Sequence, residues 1–401
     1  MQNGTDRFRV LIACALAVFW PGSFVFGFPG ILRQHWQQVF EAGASDVGGT
    51  VFFILAGATC FMYVCGLWQE KYGPGRLAAI GSILCGASTI GLRWAASMAE
   101  VNLWAFCVGA GSAFIYLPGL TVVQRWFPER RGLVAGLFNM AFGLSAAIMS
   151  PVFTLFLARW GYGMLTVAAG TASLTIGLIA SRWIGFPAAV LSKQAPMGRS
   201  NSIGLGLTVG QALKSRAFWC LWLTWVLAGA AGASMLVLAT GFGLARGMGL
   251  ASAVVLLTAF NLTNGCGRLI SGHFSDRFGR SRTMAISFTA AGIAYLIMPH
   301  AATPWAWAVM AAVIGFAFGT MFAVSGPLAG DCFGMSHFGA IFGLVFTAYG
   351  FVAGPIGPWL SGHLLDRTGG NYVLVFSLLG TMYLLASGLI LLVRPWRECR
   401  I

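Results

Sequence analysis

The side chain in this 401-residue chain with the most chemistry to account for is Arg268, in Asn264-Gly265-Cys266-Gly267-Arg268 after 21 uncharged residues, 247–267. A run of that length suffices to cross a hydrocarbon core. A guanidinium held within such a run costs at least ~2.5–3.5 kcal/mol on insertion scales, so it is a functional residue by default. Its planar fork matches a carboxylate, which it can hold through two parallel N–H···O bonds. The plainer alternatives are an arginine that snorkels to the cytoplasmic surface or one paired with a helix C-terminus. Asn264 lies one turn earlier on the same helical face. Its amide can bond the ligand or orient the guanidinium, or it is a helix-packing contact.

Five further side chains fall near mid-span and can complete such a site. Tyr116 and Tyr349 offer hydroxyls to a carboxylate or a substrate hydroxyl, and Phe28, Asn139 and Phe322 can shape the cavity. For each, packing is the alternative. Gly350, Gly354-Pro355 and Gly357-Pro358 form a kink-prone segment suited to a hinge. The nine cysteines are scattered without metal-type spacing and read as small packing residues. No nucleophile–base pair or phosphate loop is visible, so neither an enzyme nor a resident cofactor is expected. Every Asp and Glu, Asp331 included, falls at or beyond a helix end, and His35, His273, His300, His337 and His363 lie near ends too. A coupled proton can therefore travel on a histidine, through a tyrosine–water path, or on the substrate itself.

These residues need elements to hold them, and composition says which kind. Of the 401 residues 58% are hydrophobic and 8% charged, against roughly 25% charged in a soluble domain. Uncharged runs occupy 10–32, 47–69, 77–92, 101–124, 132–158, 160–181, 217–245, 247–267, 283–330, 332–365 and 368–393. The run 283–330 is broken by Pro299-His300-Ala301-Ala302-Thr303-Pro304, so eleven runs predict twelve membrane helices. The first is read as an uncleaved helix kinked at Trp20-Pro21-Gly22 and Phe26-Gly27-Phe28-Pro29-Gly30.

The net charge of +14 does not mark a nucleic-acid partner. With the N-terminus inside, 18 of 24 Lys and Arg fall on the cytoplasmic side, and Arg33, Arg93, Arg159, Arg246 and Arg367 fall outside. Only Arg268 falls within a helix. This is the positive-inside bias of a polytopic membrane protein; an even number of spans puts both termini in the cytoplasm.

The chain also repeats itself. Gly66-Leu67-Trp68-Gln69-Glu70-Lys71-Tyr72-Gly73-Pro74-Gly75-Arg76 and Gly272-His273-Phe274-Ser275-Asp276-Arg277-Phe278-Gly279-Arg280-Ser281-Arg282 share a plan at a displacement of 206. Gly136, Ala141, Phe142, Gly143 and Pro151 recur as Gly343, Ala348, Tyr349, Gly350 and Pro358, displaced by 207. Two parallel six-helix halves follow: 1–185 and 217–401, joined by a cytoplasmic linker, 186–216, with a short surface helix around 203–213.

The loop at 272–282 resembles the signature of the major facilitator superfamily, and 66–76 is a weaker copy with Glu70-Lys71 in place of Asp-Arg. The resemblance implies a structural and gating role for Gly272, Asp276, Arg277, Gly279 and Arg280, and for Gly66, Glu70, Gly73 and Arg76. Arg125-Trp126-Phe127-Pro128-Glu129-Arg130-Arg131-Gly132-Leu133-Val134-Ala135-Gly136 is similar to the helix 4–5 motif of monocarboxylate transporters and oxalate–formate antiporters, which brings in Arg130 and Arg131. Phe28-Pro29 is similar to the monocarboxylate pattern too. Those transporters carry an Asp four residues before the helix-8 Arg; here it is Asn264, which cannot titrate. Oxalate antiporters pair that Arg with a Lys in helix 11, which falls at Tyr349. One cation suits a singly charged ligand, since a second carboxylate would sit unpaired.

The expectation is an all-α integral membrane protein of twelve helices in two pseudo-symmetric bundles, monomeric, in a plasma membrane such as a bacterial inner membrane. It would move a small monocarboxylate, L-lactate or pyruvate, by alternating access with a co-transported proton. An oxalate/formate-type exchanger is the first rival, and a carboxylate sensor or scaffold that does not transport is the second.

Overall fold

In hydrocarbon an unsatisfied backbone N–H or C=O costs several kcal/mol, so an apolar run closes its hydrogen bonds inside a helix. The computed structural model describes residues 4–187 and 206–393, and every regular element among them is a helix. In chain order these are α1 (Gly4–Phe26), α2 (Phe28–Val39), α3 (Ala44–Tyr72), α4 (Pro74–Gly91), α5 (Met98–Trp126), α6 (Arg131–Ser181) and α7 (Val209–Leu213). There follow α8 (Arg216–Ala245), α9 (Leu250–Phe278), α10 (Arg280–Ile297), α11 (Pro304–Phe333), α12 (Phe338–Thr347), a π-helical segment (Ala348–Ala353), α13 (Gly354–Arg367) and α14 (Tyr372–Leu391).

Eleven segments of the described chain are long and apolar enough to cross a membrane. One of them, Arg131–Ser181, is 51 residues long and is interrupted at Gly161, whose φ of 75° is non-helical. At 1.5 Å per residue it would run ~76 Å, more than twice a hydrocarbon core of ~30 Å. It is two spans joined at Gly161, beside Arg159, and this reconciles eleven segments with the twelve helices expected. The other breaks follow local chemistry. Helix α1 stops at Phe26 and α2 restarts after Gly27 with Pro29 in its first turn, where a missing N–H is harmless. A 3₁₀ turn at Met298–His300 separates α10 from α11, which Thr303 caps by accepting from Ala306 N–H.

The repeat is visible in backbone angles. Gly73 closes α3 and opens α4 at φ 86°, ψ 145°; Gly279, 206 residues on, closes α9 and opens α10 at φ 91°, ψ 141°. Only glycine adopts that region at little cost.

The described chain forms two compact units. One contains Met1–Glu129, Ala141–Gly206 and Met335–Leu344; the other contains Arg130–Met140, Leu207–Gly334 and Val345–Ile401. Within the first, α12 packs so tightly on α3 that a methyl at Gly66 would collide with the backbone of Gly339 and Ala340. A methyl at Gly343 would lie 2.8 Å from the Met62 carbonyl. Within the second, methyls at Gly132 and Gly136 would collide with the carbonyls of Gly272 and Arg268. Gly132 and Gly136 recur as Gly339 and Gly343, so the same glycine crossing is built twice. Most of the expected linker (188–205) and the basic tail (394–401) lie outside the described residues. Within the remainder of the linker, α7 is held by a capping box between Thr208 and Gln211.

Candidate functional site

Arg268 is 2% exposed, which excludes snorkelling in this conformation. Its Nη1 donates to the backbone carbonyl of Asn139 at 3.1 Å, and its Nε and Nη2 both reach Asn264 Oδ1 at 3.4 Å. The Phe322 ring lies across the guanidinium, with its centroid 5.0 Å from Cζ. Glycines make this convergence possible. Gly136 lets α6 cross α9 beside Arg268, and Gly319 lets α11 approach the Asn264 carbonyl, where a methyl would collide. Asn139 takes part through its backbone, because its own Nδ2 donates back to the Ala135 carbonyl at 2.8 Å.

An aromatic wall backs the guanidinium. Phe322 and Tyr349 meet edge to face at 5.2 Å, and Trp225 contacts Phe322 at 5.4 Å and Tyr349 at 6.4 Å. Trp225 is fixed by an Nε1–H bond of 2.8 Å to Ser325 Oγ. Tyr349 sits in the π-helical turn Ala348–Ala353, just before Pro355. A proline deletes one N–H from the ladder and crowds the carbonyl four residues back, which a wider turn accommodates. The glycine- and proline-rich hinge segment is thus a register shift directly under Tyr349.

Asn264, Asn139, Phe322 and Tyr349 are therefore gathered around Arg268 in the second unit. Tyr116 and Phe28 belong to the first. Tyr116 is buried on α5 with its ring 5.4 Å from that of Phe142. Phe28 is fully buried against Phe24 (5.0 Å), Phe153 (4.8 Å) and Trp104 (5.9 Å), a packing position.

The two signature loops are wired differently. Asp276 accepts from Gly132 N–H and Leu133 N–H, both at 2.9 Å, at the start of α6, where the helix dipole favours an anion. Arg280 bridges Asp276 (3.5 Å) and Asp331 (2.8 Å), and Arg131 adds a contact to Asp331 at 3.6 Å. In the first unit Glu70 pairs with Arg125 at 2.5 Å, and Arg125 also donates to the Met335 carbonyl at 2.7 Å. The position 206 after Arg125 is Asp331, so one unit sets acid against base where the other sets acid against acid and interposes Arg280. Arg76, Arg130 and Arg277 are exposed and make no ion pair among the described residues. Sequence reasoning named the acid of the first pair without its partner.

A family model described as Major Facilitator Superfamily matches residues 10–257 and 255–398. The chain belongs to the Major Facilitator Superfamily. It is accordingly a multi-pass membrane transporter. It is similar to the oxalate:formate antiporter of Oxalobacter formigenes, 24% identical over 317 residues, covering 78% of this chain and 70% of that protein. It is also similar to monocarboxylate transporter 13 of Rattus norvegicus, 25% identical over 392 residues, covering 96% of this chain and 89% of the relative. The solved structure of a proton:xylose symporter superposes with a TM-score of 0.72 at 15% identity, covering 98% of this chain and 97% of that one. At that identity it bears on the fold alone.

Proposed function

We propose that this transporter carries small monocarboxylates, L-lactate or pyruvate, by alternating access in symport with a proton, with the substrate carboxylate on Arg268. The observation that carries the reading is the state of that guanidinium. It is buried, and the Asn139 carbonyl and Asn264 amide hold it in place. Neutral oxygens bond a guanidinium less strongly than a carboxylate does, because charge-assisted bonds are roughly twice as strong. A carboxylate that reaches the fork therefore gains the difference. Tyr349, whose ring packs on Phe322, is the residue we assign to bond the carboxylate or a 2-substituent of the ligand through its hydroxyl. Both termini are read as cytoplasmic in a plasma membrane, with the chain working as a monomer and without a resident cofactor.

The test is uptake of labelled L-lactate into proteoliposomes under an imposed pH gradient. Acid outside should accelerate uptake several-fold. Indifference to the gradient would end the symport claim. The similarity to an oxalate:formate antiporter supports one other reading, exchange of singly charged anions; flux that requires formate or oxalate inside the vesicle would establish it. Saturable binding with no flux under either condition would favour a sensor or scaffold.

A further inference from the structure

The face that α10 and α14 present in the second unit carries a groove of about 520 Å³, lined by neither Arg268 nor any other residue of α9. Arg282 stands at one end of it, and Ala285, Thr289, Ala290 and Ile293 follow along α10, with Ser387 opposite on α14. From Arg282 to Ile293 is eleven residues, or ~16 Å of helix. That is about half of a ~30 Å hydrocarbon core, the depth of one leaflet.

The chemistry of the lining is that of an amphiphile. Arg282 is exposed and makes no ion pair among the described residues, whereas Arg280, two residues earlier, is committed to Asp276 and Asp331. The two hydroxyls in the groove are spent on the wall itself. Thr289 Oγ1 and Ser387 Oγ lie 2.8 Å apart, and Ser387 donates onward to the Ala285 carbonyl at 2.9 Å. Beyond the arginine the trough therefore offers alkyl surface. A soluble anion would find nothing there past the first contact, and a neutral chain would leave the cation without a partner.

We propose that this groove binds one anionic phospholipid of the cytoplasmic leaflet, its phosphate on Arg282 and an acyl chain lying between α10 and α14 past Ala290. Charge complementarity selects the occupant: Arg282 lies in the first turn of α10, immediately after the basic loop Arg277–Arg280, on the side where anionic lipids concentrate.

The experiment is native mass spectrometry of the full chain in detergent, titrated with dioleoyl-phosphatidylglycerol or dioleoyl-phosphatidylcholine. Retention of the anionic lipid should be roughly fivefold stronger, the effect of one juxtamembrane cation. Arg282→Gln should remove that preference and Arg282→Lys should keep it. Arg76→Gln, at the equivalent first-turn position of α4, should leave it intact. Ala290→Trp should lower retention of both lipids; should that variant fail to fold, the two Arg282 variants still decide. Glycerol 3-phosphate, a headgroup without a chain, should not displace the lipid. Equal retention of both lipids, a preference that survives Arg282→Gln, displacement by glycerol 3-phosphate, or a dimer in place of bound lipid would each overturn the proposal.

Discussion

The Nη1 of Arg268 donates to the Asn139 carbonyl across 129 residues of sequence. One bond thus joins the charged residue of α9 to the opening turns of α6. The carbonyl takes one of the five N–H donors of the guanidinium and fixes the orientation of the fork. Gly136, one helical turn before Asn139, crosses the backbone of Arg268 itself. Binding at the guanidinium and the packing of α6 on α9 are therefore linked through the same few atoms.

The fork matters beyond its charge. Arg268→Lys keeps the cation and loses the second parallel donor, which removes about one charge-assisted hydrogen bond, ~1.5–3 kcal/mol. The Michaelis constant for L-lactate should rise at least about tenfold in initial-rate uptake assays, with the unfolding temperature within a few degrees of the unmodified protein. Unchanged concentration dependence would show that charge alone is read.

Tyr349 separates two roles of one side chain. Its ring packs on Phe322, Phe346 and Trp225, and Tyr349→Phe preserves all of that. If the hydroxyl bonds the substrate, the apparent affinity should fall several-fold while thermal stability holds. A loss of stability with unchanged affinity would make Tyr349 a packing residue of the π-turn.

Arg280 bridges Asp276 and Asp331, with Arg131 a second contact to Asp331. Arg280→Gln leaves Asp276 and Asp331 facing each other without the bridge at 3.5 and 2.8 Å, and should lower the unfolding temperature in detergent. Adding Asp331→Asn removes the repulsion and should recover part of that loss, with a coupling of about 0.5–3 kcal/mol. Simple additivity of the two changes would mean that the bridge contributes nothing.

Much of this fold can be read from residue types. Uncharged runs give the spans, and the 206- and 207-residue offsets give the repeat, down to the shared backbone angles of Gly73 and Gly279. Arg268 stands out because a charge in a span is rare. What could not be read is the contact made by a backbone. The carbonyl of Asn139 carries no signature of its residue type, and the Asn139 side chain, which does, turns back onto its own helix. Partners brought together by helix crossing, such as Glu70 with Arg125, were hidden for a related reason: two charges near separate helix ends look alike whether or not they meet. Phe28, at its motif position, packs against Phe24, Phe153 and Trp104, a contact set that the motif does not specify.

The glycine crossing gives a contrast within one residue type. Gly136→Ala drives a methyl into the Arg268 carbonyl, whereas an alanine at Gly30 meets nothing within 4 Å. The first should cost about 1–3 kcal/mol of stability and impair uptake, and the second should be close to neutral. Equal tolerance of both would mean that α6 and α9 are free to separate at no cost.

The central claim is that Arg268 holds the substrate carboxylate, and calorimetric titration of L-lactate into the protein in lipid nanodiscs tests it most directly. The unmodified chain should give a saturable heat, and Arg268→Gln should give none while unfolding at a similar temperature. Binding of undiminished affinity to the Arg268→Gln protein would contradict the assignment.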